Sequence, residues 1–124
     1  MKHNLYLGFL LILIEMGSCN QSVKFFNSGE KERLWSMVRS PQIDSIIDAT
    51  IEIQLAKDTS MIKALLYNSN DARVTHRLKY NGMSVYQIKM LSLESITNKK
   101  PPKQITYTPD SIIINFYTQT GASR

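Results

Sequence analysis

The chain has 124 residues, of which 43% are hydrophobic, 20% are charged and 9% are aromatic. It is too short for two ordinary domains, too apolar for a disordered chain and too polar for a multi-span membrane protein. Fifteen Lys and Arg residues against ten Asp and Glu residues give a formal net charge of +5. This composition predicts one moderately basic domain. No motif in the chain specifies a reaction.

The N-terminal residues have the pattern of an export signal. Lys2 supplies a positive charge, and residues 5–14 form a continuous apolar run. As a helix, a run of that length rises about 15 Å, or roughly half the thickness of the hydrocarbon core of a bilayer. The run is therefore too short to span a membrane, and it has the length of a secretory hydrophobic region.

The apolar run is followed by Met16-Gly17-Ser18-Cys19, which resembles the lipobox of a bacterial lipoprotein signal peptide. Cys19 is the single cysteine, so no intramolecular disulfide can form, and acylation would account for the odd thiol. The resemblance implies a signal peptide over residues 1–18 and fatty acyl groups such as palmitate on Cys19. It also implies a location in the cell envelope, at the outer membrane or on the periplasmic face.

The rest of the chain is expected to contain a tether over residues 19–28 and one small helical domain over residues 29–124. Helix-end signals recur in it. Ser84 and Gln87 have the form of a capping box, and Asn98 stands where a helix ends before Pro101. Ser40 and Thr108 each precede a proline, as N-caps often do. These signals predict an all-α bundle of about five helices, near residues 29–38, 42–57, 59–67, 85–97 and 109–119.

The helix starts predicted at Ser40 and Ser84 lie 44 positions apart, which is within the period of HEAT-type repeats. Residues 40–120 resemble two degenerate helix pairs of that kind, with the helix at 29–38 as a cap. HEAT-type stacks imply a protein-binding scaffold without catalysis.

An α+β fold is the alternative. Residues 49–55 alternate apolar and polar side chains, and Asn81-Gly82 is a favoured hairpin dipeptide. The consecutive isoleucines at 112–114 favour a terminal strand over residues 111–118, because β-branched side chains suit strands. Helix and strand both remain open for residues 49–55, 74–90 and 111–118, with residues 73–80 expected to be a partly extended connector.

Two charged groups are candidate contacts for a partner. Asp44, Asp48 and Glu52 fall four residues apart and form an acidic stripe on one face of a helix. Such a stripe is usually solvated, and it lacks the loop geometry of a Ca²⁺ site. The basic candidates lie in the connector and are Arg73, Arg77 and Lys79. Export makes nucleic acid an unexpected partner, so an acidic protein or anionic lipid is expected for the basic group.

His76 is the single histidine outside the signal segment, so a multi-histidine metal site is not expected. No cofactor or catalytic residue is predicted, although a minor hydrolase or ligand carrier using His76 is a third interpretation. The larger aromatic residues are expected in the core: Phe25, Phe26, Trp35, Tyr107, Phe116 and Tyr117. Insertion into the membrane interface is the alternative for Phe25 and Phe26, which lie next to the tether.

The sequence thus predicts a lipid-anchored envelope protein that is not an enzyme and that binds another envelope protein. A periplasmic inhibitor or immunity-type factor, acting through the acidic stripe or the basic connector, is the alternative.

Overall fold

A computed structural model describes residues 23–123, which form five α-helices. The predicted all-α class is confirmed. A 3₁₀ turn over Thr59–Met61 leads directly into the third helix, and a second one covers Leu78–Tyr80. The helices are α1 (Ser28–Val38), α2 (Ile43–Ala56), α3 (Ile62–Leu66), α4 (Val85–Thr97) and α5 (Ser111–Ala122). No helix in this part of the chain is both long enough and apolar enough to cross a bilayer.

The α+β alternative is wrong. Within residues 23–123 the strand-like pairing is a single antiparallel bridge between Val74 and Ser84. Asn81-Gly82 does form a tight turn, in which the Met83 N–H donates to the Tyr80 carbonyl at 2.9 Å and Gly82 takes a φ of +82°. No hairpin strand follows this turn, because the chain enters α4 at Val85.

The core lies where α2 packs against α1 and α4, with α3 contacting α4 and α5. Its fully buried side chains come from all five helices, and they include Leu34, Ile53, Leu65, Met90, Leu93, Ile113 and Tyr117. Gly121 lets α5 approach α3 closely, because a Cβ atom at this position would lie 2.9 Å from Cγ2 of Ile62. The predicted burial of Phe26 and Tyr117 is confirmed, whereas Phe25 and Tyr107 are exposed.

The helix ends predicted for α4 are confirmed. The Ser84 hydroxyl accepts a hydrogen bond from the Gln87 N–H at 3.0 Å, and Asn98 ends the helix in the left-handed conformation with a φ of 53°. Thr97, the last residue of the helix, donates its hydroxyl proton to the Leu93 carbonyl at 2.7 Å. Both ends follow from local side-chain chemistry.

The N-caps predicted at Ser40 and Thr108 are wrong. The Ser40 hydroxyl accepts from the Gln42 N–H before α2 begins, so it closes a turn outside the helix. At α5 the cap is Asp110, whose carboxylate accepts from the Ile112 N–H at 2.8 Å. A carboxylate at a helix N-terminus also interacts favourably with the helix dipole, which favours this later start. The HEAT-type resemblance rested on the spacing of such starts and stays a prediction.

The segment before α1 lies against the domain. The Lys24 N–H donates to the Ala56 carbonyl at 2.9 Å, and the Phe26 N–H donates to the Asp58 carboxylate at 2.9 Å. Asn27 and Glu30 form a capping box that begins α1. The part of the predicted tether from residue 23 onward is thus in contact with the domain. The predicted signal peptide over residues 1–18 and Cys19 lie outside the described residues.

Candidate functional site

An apolar groove opens on the surface between α1, α3 and α5. Its volume is about 310 Å³, at the lower end of the range of ligand pockets. Its walls are almost entirely apolar, and we call it the aromatic groove. The lining residues are Trp35, Lys63, Leu66, Tyr67, Thr118, Gly121 and Ala122.

Trp35 and Tyr67 form the aromatic end of the groove. Their ring centroids lie 6.2 Å apart and their planes meet at 76°, an edge-to-face arrangement. The guanidinium carbon of Arg39 lies 4.7 Å from the Trp35 ring centroid and 5.9 Å from the Tyr67 ring centroid. A cation within about 6 Å of an aromatic ring is attracted to its face. These three side chains are therefore held together before any partner binds.

The local sequence explains this arrangement. Trp35 and Arg39 are four residues apart at the C-terminal end of α1, so they share one face of that helix. Tyr67 is the residue at which α3 ends, and its side chain is 45% exposed. Arg39 and Lys63 at the groove are both exposed, and no carboxylate of residues 23–123 pairs with either of them. The groove therefore combines apolar walls with two nearby positive charges that no carboxylate in the described part of the chain pairs with.

Lys89 contacts the backbone of Tyr67 from the interior of the domain. Its side chain is 1% exposed, and its ammonium group donates to the Tyr67 carbonyl at 2.7 Å. Burial lowers the pKa of Lys89 to about 8, although the nearby Asp71 carboxylate acts in the opposite direction. The sequence analysis did not identify this role of Lys89. Its position among the apolar residues of α4, between Ile88 and Met90, was the available signal.

The predicted charged contacts meet on a different surface, which we call the ion-pair face. The Arg77 guanidinium lies between two carboxylates of α2, 3.0 Å from Asp44 Oδ1 and 2.6 Å from Asp48 Oδ1. The hydrogen bond from Arg77 lowers the pKa of Asp48. Two residues of the acidic stripe and one basic candidate are therefore paired with each other within the chain.

The remaining candidates are distributed around these pairs. Glu52 pairs with Arg33 of α1, which extends the ion pairing along α2. Arg73 pairs with the buried Asp71 at 2.6 Å and also donates to the Pro41 carbonyl at 2.8 Å. The hydrogen bond from Arg73 lowers the pKa of Asp71. Arg73 thus connects the 71–77 loop to the start of α2.

Lys79 does not join this network. Its ammonium group lies 5.5 Å from the ring centroid of Tyr80. His76 is exposed, and no group of three or more His, Cys, Asp and Glu residues within residues 23–123 is arranged to hold a metal ion. Of the six predicted partner contacts, the structure brings together Asp44, Asp48 and Arg77.

Sequence reasoning also missed the groove. Trp35 packs against the core as expected, but it is only half-buried and also lines the groove. The sequence does contain one local indication of the groove, because Trp35 and Arg39 are four residues apart on the same helix. The contribution of Tyr67 was not visible, because it depends on how α1 and α3 pack.

No protein-family model, curated protein or solved structure matches the chain.

Proposed function

We propose that this chain is a lipid-anchored protein of the cell envelope that binds another envelope protein through the aromatic groove and performs no catalysis itself. The observation that carries this proposal is the preassembled cluster of Trp35, Tyr67 and Arg39 beside an apolar groove. Trp, Tyr and Arg are the residue types that contribute most to the energy of protein interfaces. Lipid attachment at Cys19 supplies the location.

The chemistry of the groove indicates what the partner presents. Its walls fit an apolar side chain, such as that of Leu or Phe, from an exposed segment of the partner. Arg39 and Lys63 at the groove have no carboxylate partner within residues 23–123, so a carboxylate flanking that side chain would complete the contact. We therefore expect the recognised segment to be apolar with an adjacent Asp or Glu.

The ion-pair face supports the inhibitor alternative less well. Arg77 already pairs with Asp44 and Asp48, so a partner would compete with these internal contacts for the same charges. The groove involves no such competition. For this reason we place the binding surface at the groove.

Photo-crosslinking tests the proposal. A benzophenone amino acid at Lys63 should crosslink a single partner in intact cells, whereas the same group at Leu78, which is 97% exposed, should not. The Trp35→Ala variant should lose the adduct and weaken binding of the purified partner by about 30-fold or more, since truncating a hot-spot residue costs about 2 kcal/mol. Tyr107→Ala, an exposed aromatic residue outside the groove, is the matched control. Equal adducts in both variants would refute the groove as the binding surface.

Labelling with palmitate tests the anchor separately. The wild-type chain should incorporate the label, and Cys19→Ala should abolish incorporation. Incorporation that survives this substitution would disprove lipidation at Cys19 and leave the groove experiment unaffected.

A further inference from the structure

The described chain begins with two exposed apolar side chains. Val23 is 51% exposed and Phe25 is 69% exposed, whereas Phe26 between Phe25 and α1 is 5% exposed. The N–H groups of Lys24 and Phe26 both donate to the domain, as described above. This segment is therefore fixed on the domain with Val23 and Phe25 turned away from the core.

A third exposed apolar side chain lies next to this segment. Leu55 is 67% exposed, although its neighbours Ile53 and Ala56 are buried. The Ala56 carbonyl accepts the hydrogen bond from the Lys24 N–H. Leu55 is next to Ala56 and Phe25 is next to Lys24, so both apolar residues are adjacent to this hydrogen bond. We call Val23, Phe25 and Leu55 the N-terminal apolar patch.

Lysines border this patch. Lys24 lies between its first two members, and Lys57 follows Ala56 at the end of α2. Lys24 pairs loosely with Glu30 at 3.6 Å, while no carboxylate of residues 23–123 pairs with Lys57. Apolar side chains flanked by two lysines fit a membrane interface, where apolar side chains enter the acyl region and ammonium groups remain with the phosphates.

The length of chain before the patch determines what can cover it. Three residues separate Cys19 from Val23, and four residue steps span at most about 14 Å. A lipid on Cys19 would therefore keep Val23 within about 14 Å of the membrane surface. The face of the domain that carries residue 23 is then the face closest to the bilayer.

We propose that the N-terminal apolar patch docks the domain on the phospholipid bilayer that holds its anchor, with Phe25 and Leu55 inserted in the interface. This inference rests on the proposed lipidation of Cys19. It adds a fixed orientation of the domain relative to the membrane, since a domain that is docked through this patch does not rotate freely on its tether.

Fluorescence quenching by brominated lipid tests the docking. The full chain, purified from membranes, is placed in vesicles of phosphatidylcholine and phosphatidylglycerol with bromine on the acyl chains. Trp35→Phe removes the single tryptophan, and Phe25→Trp or Leu55→Trp then reports on the patch. Leu78→Trp is the matched control, because its neighbour Arg77 pairs with the opposite end of α2. We expect the lipid to quench tryptophan at positions 25 and 55 several-fold more than tryptophan at position 78.

Equal quenching at all three positions would overturn the proposal. Shielding of position 25 from aqueous iodide without quenching by the lipid would also overturn it, because a second copy of the chain would then cover the patch. The mass of the N-terminal peptide from the same sample reports lipidation independently. If the chain is lipidated but the lipid does not quench positions 25 and 55, docking is refuted and lipidation is not. If the lipid quenches these positions in a chain without lipid on Cys19, lipidation is refuted and docking is not.

A second measurement does not depend on replacing Trp35. Surface amines of the vesicle-bound chain are acylated with a water-soluble reagent, and the rate at Lys57 is compared with that at Lys79. In the Phe25→Ser/Leu55→Ser variant, Lys57 should react several-fold faster than in the wild type, with Lys79 unchanged. Leu78→Ser should change neither rate. An unchanged rate at Lys57 in the double variant would contradict docking through this patch.

Discussion

The aromatic groove and the ion-pair face differ in how their polar and charged groups are satisfied. On the ion-pair face, Arg77 pairs with Asp44 and Asp48 in contact with solvent. At the groove, Arg39 lies over the Trp35 ring and pairs with no carboxylate of residues 23–123, and the supporting polar contact is the buried bond from Lys89. The charged groups of the ion-pair face thus have partners within the chain, while the aromatic groove is open to a partner.

This difference predicts different responses to pH, packing changes and salt. The stability that comes from contacts around buried groups depends on desolvation and on packing. Exposed ion pairs contribute little to stability, and dissolved salt screens them. The following three experiments test it, beginning with the largest expected effect.

Lys89 should make the stability of the chain increase with pH. Its pKa is about 8 in the folded chain, against an ordinary value of 10.5, so the unfolded chain binds more protons between these two values. The free energy of unfolding should therefore rise from pH 8 upward and lose this contribution as the pH falls through 8. The increase has a ceiling of about 3 kcal/mol, since each pH unit contributes about 1.4 kcal/mol.

Urea unfolding between pH 7.5 and 9.5 measures the first part of this increase, about 2 kcal/mol at 1.4 kcal/mol per pH unit above pH 8. Lys89→Met should remove it, because no titratable group then replaces the ammonium. Lys79→Met changes an exposed lysine and should keep it. A Lys89→Met chain with the same increase as the wild type would show that Lys89 is not the titrating group.

Gly121→Ala should destabilise the wall of the groove. The new Cβ atom would lie 2.9 Å from Cγ2 of Ile62, and overpacking of this kind costs about 1–3 kcal/mol. This cost exceeds the increase in helix stability of about 1 kcal/mol that alanine brings relative to glycine. The matched control is Gly29→Ala, whose Cβ atom would make an ordinary 3.5 Å contact with Asn27.

Thermal unfolding of both variants, and of Gly121→Ala combined with Ile62→Ala, measures the effect. Removal of Cγ2 from position 62 should reduce the cost of Gly121→Ala. If the cost were the same in both backgrounds, close packing between α3 and α5 would not be its cause.

Arg77→Met should have the smallest effect. Its ion pairs are partly exposed, so their loss should lower the free energy of unfolding by less than about 1 kcal/mol. The difference from wild type should disappear in 1 M NaCl, where the Debye length is about 3 Å. A larger or salt-independent loss would mean that the ion-pair face stabilises the fold through packing. Lys100→Met, in the exposed 98–104 segment, is the control.

The elements of the fold were predictable because their signals are local. Ser84 and Asn98 begin and end α4 as their side-chain chemistry requires. The prolines at 41 and 109 misplaced two helix starts, because a proline marks a first turn but does not choose between neighbouring capping side chains. Asp110 is closer to the helix than Thr108, and its charge makes it the stronger cap.

The surfaces were less predictable, because they join residues distant in sequence. Asp44 and Asp48 were recognised by their spacing, but their partner Arg77 is 29 or more positions away. Tyr67 joins Trp35 and Lys89 only through the packing of α1, α3 and α4. Sequence patterns predict which face of a helix is apolar, and they do not specify which exposed aromatic residues of two helices will meet.

The two backbone bonds that fix residues 24 and 26 have a mechanical consequence. A force applied to the N-terminus reaches the corner between α2 and α3, at Ala56 and Asp58, before it reaches α1. To unravel the first helix, the pull must extract the Phe26 ring from its buried site and break the Asp58 contact. The contacts of residues 24 and 26 therefore protect α1 from a force that is applied at the N-terminal end of the domain.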